Sequence, residues 1–259
     1  MSKISAISMP SFQAYLLSKQ TLVPQVYKFI FVTDLWLPFK PGQFVSLQLQ
    51  PGLLRAYSIV EFASIEEQHT HLNLPDGFFA KGLLTLLIST KPDGLASQHF
   101  ETVEPGALMR IVNLTGRFGL SKNFELQARF FIATGTGLAP FIPMLKQSLQ
   151  EKPNLEHKLF FGAFQRSLDF SRNLLEQELN NFSNFEIISC FDQDSFVQTP
   201  NIKMGRVTQI VPQYVTDLLK TEFYLCGNPY MIKDMQEVLQ QLGVSKKQII
   251  KESFGSVSR

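Results

Sequence analysis

The sequence predicts two domains of different class: an antiparallel β-sandwich or small barrel, then an α/β domain built on a parallel sheet. Three observations carry this. Short strand-like runs separated by turn residues occupy positions 12–120. Beyond a polar stretch at 120–128, strand-like runs alternate with helical ones, as crossover helices on a parallel sheet require. At the junction, residues 129–145 (RFFIATGTGLAPFIPML) lead an apolar run into a glycine turn and the start of a helix. The expected domains are residues 1–124 and 125–259.

The 259 residues suffice for two domains of ordinary size, and 44% hydrophobic residues allow a substantial core in each. A net charge of +2, with no basic run beyond Lys246-Lys247, does not describe a nucleic-acid binder. The two cysteines, Cys190 and Cys226, are too few for a disulfide framework, a four-cysteine zinc site or an all-cysteine iron–sulfur cluster within one chain. They suit a reducing cytoplasm. His69 and His71 stand two apart with no third ligand, so no metal is expected. The first residues lack a basic region followed by an apolar core, and runs such as 83–88 are too short to span a bilayer. The expectation is a soluble, cytoplasmic monomer with no membrane or nucleic-acid partner.

In the first half, strands are expected at 12–17, 26–33, 43–49, 55–60, 69–74, 83–90 and 109–114. Turns fall at Lys40-Pro41-Gly42, Pro51-Gly52, Pro75-Asp76-Gly77 and Glu104-Pro105-Gly106. One short helix is expected at 95–102, after Asp93-Gly94. Three stretches invite a functional reading. Gly42-Gln43-Phe44-Val45 is a turn entering a strand, which is ordinary hairpin chemistry. In Arg55-Ala56-Tyr57-Ser58, strand alternation puts Arg55 and Tyr57 on one face and Ser58 on the other. A cation, an aromatic plane and a hydroxyl suit a phosphate, a flat ring and one hydrogen bond; the plainer reading is a solvent-facing arginine beside a half-buried tyrosine. In Lys91-Pro92-Asp93-Gly94-Leu95-Ala96-Ser97, Gly94 and Ser97 open the short helix, where N–H groups and a hydroxyl suit a diphosphate or simply cap the helix.

In the second half, five strands are expected at 130–133, 158–162, 185–189, 223–226 and 248–251, with helices at 139–152, 171–181, 207–219 and 229–242. Ligands on such sheets bind at the carboxyl ends of the strands. There lie Gly135-Thr136-Gly137, Gly162-Ala163-Phe164, Ser189-Cys190 and Cys226-Gly227-Asn228. A glycine turn feeding a helix N-terminus favours an anion, although GTGLAP is not the full G-x-G-x-x-G fingerprint and a plain tight turn fits as well. Cys226 reads either as a small core residue or as a thiol set near the helix opened by Asn228-Pro229. Cys190 reads as structural.

Taken in order, Arg55-x-Tyr57-Ser58, Gly94-x-x-Ser97, Gly116-Arg117-Phe118-Gly119, Gly135-Thr136-Gly137-Leu138-Ala139-Pro140, Cys226-Gly227-Asn228-Pro229-Tyr230-Met231 and Glu252-Ser253-Phe254 resemble the ferredoxin–NADP(+) reductase superfamily, in its bacterial ferredoxin/flavodoxin reductase form. Each motif is weak alone, but the ordered set covers essentially the whole chain. The resemblance implies an N-terminal antiparallel β-barrel that binds FAD, followed by a Rossmann-like, five-stranded parallel sheet that binds NAD(P). It implies that Arg55 contacts the flavin diphosphate, with Ala56 beside it. Tyr57 packs on the isoalloxazine and Ser58 hydrogen-bonds near its N5. Gly94, Leu95, Ala96 and Ser97 cradle the diphosphate, and Phe254 or the tail beyond it covers the flavin. In the second domain Thr134, Gly135, Thr136, Gly137, Gly227, Asn228 and Met231 bind the nicotinamide dinucleotide. Cys226 positions the nicotinamide ring, and Glu252 supplies a proton or orients that ring. Ser58, Cys226 and Glu252 thus form the implied catalytic set.

The resemblance favours NADP(H), chiefly through the Cys-Gly-Asn-Pro-x-Met form, with Arg166, Arg172, Lys203 and Arg206 as cations for a 2′-phosphate. Local chemistry points the other way. Many NADP-using relatives carry Ser-Arg after the third strand, whereas Ser189-Cys190-Phe191-Asp192 ends on an acid that suits the ribose diol of NAD(H). The implied function is hydride exchange with NADP(H) and one-electron exchange with a separate ferredoxin or flavodoxin. The rivals are a reductase component of an oxygenase, a free-flavin reductase and, from a different class, a nucleotide-binding regulatory subunit without turnover.

Overall fold

The computed structural model describes residues 11–65, 74–92, 94–123, 125–179, 181–194 and 198–254. The chain forms two compact units, Met1–Thr21 with Tyr27–Arg117 and Leu22–Val26 with Phe118–Arg259.

The first unit is a closed antiparallel barrel. Its elements are β1 (Phe12–Val23), β2 (Val26–Thr33), β3 (Phe44–Gln50), β4 (Leu53–Ser64), β5 (Gly82–Ser89), α1 (Leu95–Thr102) and β6 (Leu108–Thr115). The strand order is β1-β2-β5-β4-β3-β6, and β6 returns to β1 with Phe12 opposite Ile111. Closure leaves no edge strand among the described residues of this unit. Alternate residues such as Ala14, Leu16, Phe29, Phe31, Val45 and Leu47 fill the interior. Phe100 of α1 enters the same core, edge-on to Phe29 and to Tyr57 at 5.3 Å each. Strand β1 runs past the expected 12–17 because its polar continuation is held. Lys19 lies over the Tyr27 ring at 5.2 Å and donates to the carbonyls of Glu101 and Val103, at the C-terminus of α1. Of the strand expected at 69–74, positions 69–73 lie outside the described residues.

The second unit contains β7 (Ala128–Thr134), α2 (Phe141–Glu151), β8 (Glu156–Ala163), α3 (Ser171–Leu179), β9 (Phe185–Phe191), β10 (Ile202–Met204), α4 (Val207–Ile210), β11 (Thr221–Gly227), α5 (Pro229–Gln241) and β12 (Ile249–Ser253). The sheet has six strands in the order β10-β9-β8-β7-β11-β12, not the five expected, and its pairings are parallel. The extra strand, β10, has three residues, too few for a periodic signal. It is tied in by backbone bonds from Ser189 N to Asn201 O (3.0 Å) and from Gly205 N to Phe191 O (2.8 Å). The helix expected at 207–219 is also corrected. One α-turn passes into a 3-10 turn, Val211–Tyr214, because Pro212 at its start brings no N–H to a continuing α-helix.

At the amino ends of the strands a buried polar network anchors the start of this unit. Arg129 pairs with Glu222 (3.4 Å) and donates to Ser148 Oγ (2.8 Å) and Ser121 O (3.0 Å). Ser121 Oγ and Tyr224 OH also donate to Glu222. Ser148 Oγ meets His157 Nε2 at 2.7 Å. Residues 120–128, polar enough to suggest a hinge, are therefore pinned at Ser121 to β7 and β11. Such a network carries desolvated charge, which is tolerable only because each charged group has several partners.

Candidate functional site

The strand order reverses beside β7: β8, β9 and β10 lie on one side, β11 and β12 on the other. At such a switch point the loops leaving neighbouring strands diverge and open a crevice at their carboxyl ends. Two turns meet there. After Thr134 a 3-10 turn, Gly135–Leu138, leads towards α2, and after Cys226 the chain bends at Gly227 (φ +128°) into α5. A Cβ on Gly137 would lie 2.3 Å from Cys226 O, and one on Gly227 would lie 2.5 Å from Thr134 O. Both positions need glycine for close backbone approach, and Gly227 also for its conformation. Asn228 N donates to Thr134 Oγ1 (3.0 Å), and Asn228 Oδ1 caps α5 by accepting from Tyr230 N (2.9 Å).

Beside these turns lies a cleft of about 390 Å³, lined by residues that include Thr134, Gly162, Ala163, Asn228 and Met231. Phe164 and Tyr230, 54% and 58% exposed, offer aromatic surface to it. Of the residues expected to bind the nicotinamide dinucleotide, Thr134, Asn228 and Met231 line this cleft. Gly135 has open space where a side chain would stand and a φ of +54°, whereas Gly137 is buried against Cys226. Gly137 is thus a packing residue of the turn.

Cys226 is fully buried and stands opposite Glu252 in the β11–β12 register. Burial, reinforced by the Glu252 charge, pushes its thiol well above the ordinary value, which suits a positioning group and not a nucleophile. The Glu252 carboxyl is pushed up to about 6 by burial, and its Oε2 is enclosed without a hydrogen-bond partner. Phe254 N donates to Gly227 O (3.3 Å), which ties the chain after β12 to the β11 turn. The residues 255–259 beyond it lie outside the described set. Cys190 lines the cleft although buried, and burial with the Asp169 charge pushes its thiol up to about 12.

The arginines divide sharply. Arg172 donates to Ile187 O and Asn201 O at 2.9 Å each and to Ser189 Oγ at 3.2 Å, so it knits β9 to the segment entering β10. Arg166 is exposed, and its backbone N–H donates to Asp194 (2.8 Å). Arg206 lines the cleft and pairs through Nε with Asp192 Oδ2 at 3.1 Å. Asp234 completes the charged lining. It lies one helical turn beyond Tyr230, so the i, i+4 spacing after the Asn228 cap was the available signal that it shares their face.

In the first unit, Arg55 and Ala56 are exposed, Tyr57 half-buried and Ser58 buried. Arg55 Nη1 donates to Leu54 O (2.8 Å). The Tyr57–Phe100 contact brings β4 against α1, so the two motifs expected to hold a flavin share one region of the barrel. Ser97 Oγ accepts from Lys91 N (2.7 Å), and among the described residues no side chain caps the Gly94 end of α1. Uncapped first-turn N–H groups, as at Leu95 and Ala96, favour an anion. Thr90 Oγ1 and His99 Nε2, flanking the loop in sequence, are enclosed without partners.

Among the described residues no group of three or more His, Cys, Asp and Glu side chains could hold a metal, and no helix is long and apolar enough to cross a membrane. Residues 131–237 match the model of the oxidoreductase NAD-binding domain. The xylene/toluene monooxygenase electron transfer component of Pseudomonas putida is 28% identical over 243 residues, covering 92% of this chain and 64% of that protein. The chain thus spans less than two thirds of the length of this relative. In structure, the chain resembles a cytochrome P450 reductase of Amycolatopsis, with a TM-score of 0.79 at 20% identity over 95% of this chain and 70% of that one. It also resembles a ferredoxin NADP+ reductase from Neisseria gonorrhoeae with bound FAD and NADP, with a TM-score of 0.73 at 20% identity over 95% and 98% of the two chains. These likenesses establish the pairing of an antiparallel barrel with a parallel-sheet unit.

Proposed function

We propose, for a chain that belongs to the ferredoxin–NADP(+) reductase superfamily, an FAD-dependent oxidoreductase that exchanges a hydride with NAD(P)H and single electrons with a separate ferredoxin or flavodoxin. The supporting observation is the interlock of Thr134–Gly137 with Cys226–Asn228, which shapes the cleft where the strand order reverses. A dinucleotide fits its aromatic lip and the polar side chains of Thr134 and Asn228. The barrel residues fit FAD: an exposed guanidinium at Arg55, an uncapped α1 N-terminus at Gly94–Ala96, a half-buried ring at Tyr57, and enclosed polar atoms on Thr90 and His99 that lack partners within the protein. Bound FAD would supply the means to take two electrons together and release them singly. Arg55 and the first turn of α1 would hold its diphosphate, and Tyr57 would pack against its ring. Ser58 would hold a hydrogen bond near the reacting atoms. Cys226 would set the plane of the nicotinamide, and Glu252, its carboxyl pushed up to about 6, would take up or release a proton close to that pH.

A second reading, the NAD(P)H-dependent reductase component of an oxygenase, draws on the monooxygenase partnership named for the Pseudomonas relative. The experiment for both begins with the visible absorption spectrum of the purified protein and anaerobic titration with NADH and NADPH. Cytochrome c reduction is then measured with and without added ferredoxin, flavodoxin or an oxygenase component. A flavin spectrum bleached by reduced nicotinamide, with cytochrome reduction that depends on the added carrier, is expected. A protein that neither carries nor takes up FAD sinks both readings.

A further inference from the structure

We infer that the amino-terminal end of the parallel sheet, opposite the cleft, is a peripheral docking surface for an anionic lipid bilayer. Leu219 enters the headgroup layer there, and Lys220, Lys246 and Lys247 meet the lipid phosphates. The inference does not depend on the proposed reaction. It departs from the expectation of a chain without a membrane partner, since a surface contact needs no spanning helix.

Leu219 is 83% exposed, more than any other large hydrophobic side chain among the described residues. Its neighbour Leu218 packs on the core of the unit, so the chain there turns one leucine in and the other out. The turn is held firmly. Asp217 Oδ1 accepts from Leu219 N (2.9 Å) and Lys220 N (3.1 Å), and Thr221 Oγ1 donates to Asp217 O (2.6 Å). Gln248 Nε2 donates to Leu218 O (2.6 Å) and Thr221 O (2.9 Å), while Gln248 Oε1 accepts from Ser245 N (3.2 Å). These bonds join the turn before β11 to the 3-10 turn Lys246–Gln248, which enters β12. Lys220, Lys246 and Lys247 are exposed, and among the described residues none of them forms an ion pair. Leu242, 41% exposed, follows α5 where that helix has run back to the same end of the sheet. The lysines and the outward leucine together favour lipid over a protein partner. Protein interfaces are depleted in lysine at their cores, whereas lysine stems lie along a bilayer surface with their ammonium groups at the phosphates. A leucine that stands clear of its surroundings enters a headgroup layer without needing a matching pocket.

The test is co-sedimentation of the full chain with vesicles of phosphatidylcholine alone or of equimolar phosphatidylcholine and phosphatidylglycerol, at low and high salt. Wild type is expected to bind the mixed vesicles, to leave phosphatidylcholine vesicles alone, and to be released by high salt as the charges are screened. Lys220→Gln/Lys246→Gln/Lys247→Gln should weaken binding about a hundredfold, at roughly fivefold per lysine. Leu219→Ser should weaken it about tenfold, and Leu219→Met should keep it. All these positions are exposed, so the variants should melt as wild type does. Salt release of the wild type tests the lysines even if the triple variant fails to fold. No binding to the mixed vesicles, equal binding to both kinds, or variants that bind like wild type overturn the inference. Self-association that Leu219→Ser abolishes, without vesicle binding, assigns the leucine to a second copy of the chain and also overturns it.

Discussion

Gly137 and Cys226 touch backbone to backbone: a methyl group on Gly137 would stand 2.3 Å from the Cys226 carbonyl oxygen and 2.5 Å from its carbonyl carbon. The turn after β7 and the end of β11 are thereby held as one surface, and the cleft forms beside it. Gly137→Ala cannot be absorbed by a flexible side chain, because the obstacle is main chain. It should cost at least the ~1–3 kcal/mol typical of overpacking. Gly135→Ala, with a positive φ but open space, should cost only about 1 kcal/mol. Urea unfolding of the two variants checks the ranking, and a Gly135→Ala protein less stable than Gly137→Ala would contradict it.

Burial lifts the Glu252 carboxyl towards neutral pH. Burial pushes its carboxyl up to about 6 from an ordinary 4.5, so its contribution to stability is fully present below 4.5 and lost as pH rises through 6. Glu252→Gln should therefore stabilise the protein above pH 7, by about 1 kcal/mol once partial exposure is allowed for. In anaerobic stopped flow, flavin reduction should show an inflection near pH 6 that the same substitution removes. An inflection that survives in Glu252→Gln belongs to another group.

His157 makes the second unit acid-sensitive. Burial holds its imidazole down at about 4 against an ordinary 6.5, and the Arg129 charge opposes protonation further. The neutral ring is favoured in the fold, so stability is full above 6.5 and falls as pH drops towards 4. Between pH 7.5 and pH 5 the loss from this one group should be about 2 kcal/mol, measured by urea unfolding of the whole chain. His157→Asn should flatten that slope, even if it lowers stability at every pH.

Substitutions at Arg55 and Ser58 test the proposed separation of flavin binding from reaction. Arg55 is exposed and aimed by a bond to its own neighbour, Leu54, so its removal disturbs little of the barrel. Arg55→Ala is expected to lose its flavin colour on gel filtration while keeping its melting transition within about 1 kcal/mol of wild type. Ser58→Ala should keep FAD and slow its reduction, by about tenfold or more if one hydrogen bond to the reacting region is lost. Full flavin retention in the first variant, or unchanged stopped-flow rates in the second, would count against the assigned roles.

Much of the architecture is legible in the chain. The strand at 26–33 and the helix at 95–102 have the bounds that alternation and the Gly94 turn indicate, because local pattern and tertiary packing agree there. Element ends were harder to read where polar residues are satisfied from a distance, as with Lys19 in β1. Two errors have local causes. Strand β10 is too short to show a period, and Pro212 interrupts what periodicity read as one helix. The cleft was legible only in outline. Thr134, Asn228 and Met231 could be placed by motif, but Asp234 depends on helical spacing from a cap whose geometry had to be known.

The sequence by itself determined the order of elements, the change from antiparallel to parallel structure and the positions where turns require glycine, because these follow from spacing, propensity and backbone sterics within a few residues. Only the tertiary structure decided which glycine packs and which stays open, that Arg172 serves the sheet while Arg206 reaches the cleft, and that Glu252 faces Cys226 without a partner for one of its oxygens. Those outcomes depend on distances and desolvation between residues far apart in the chain, and a charge acquires its role from the partners that folding brings within reach.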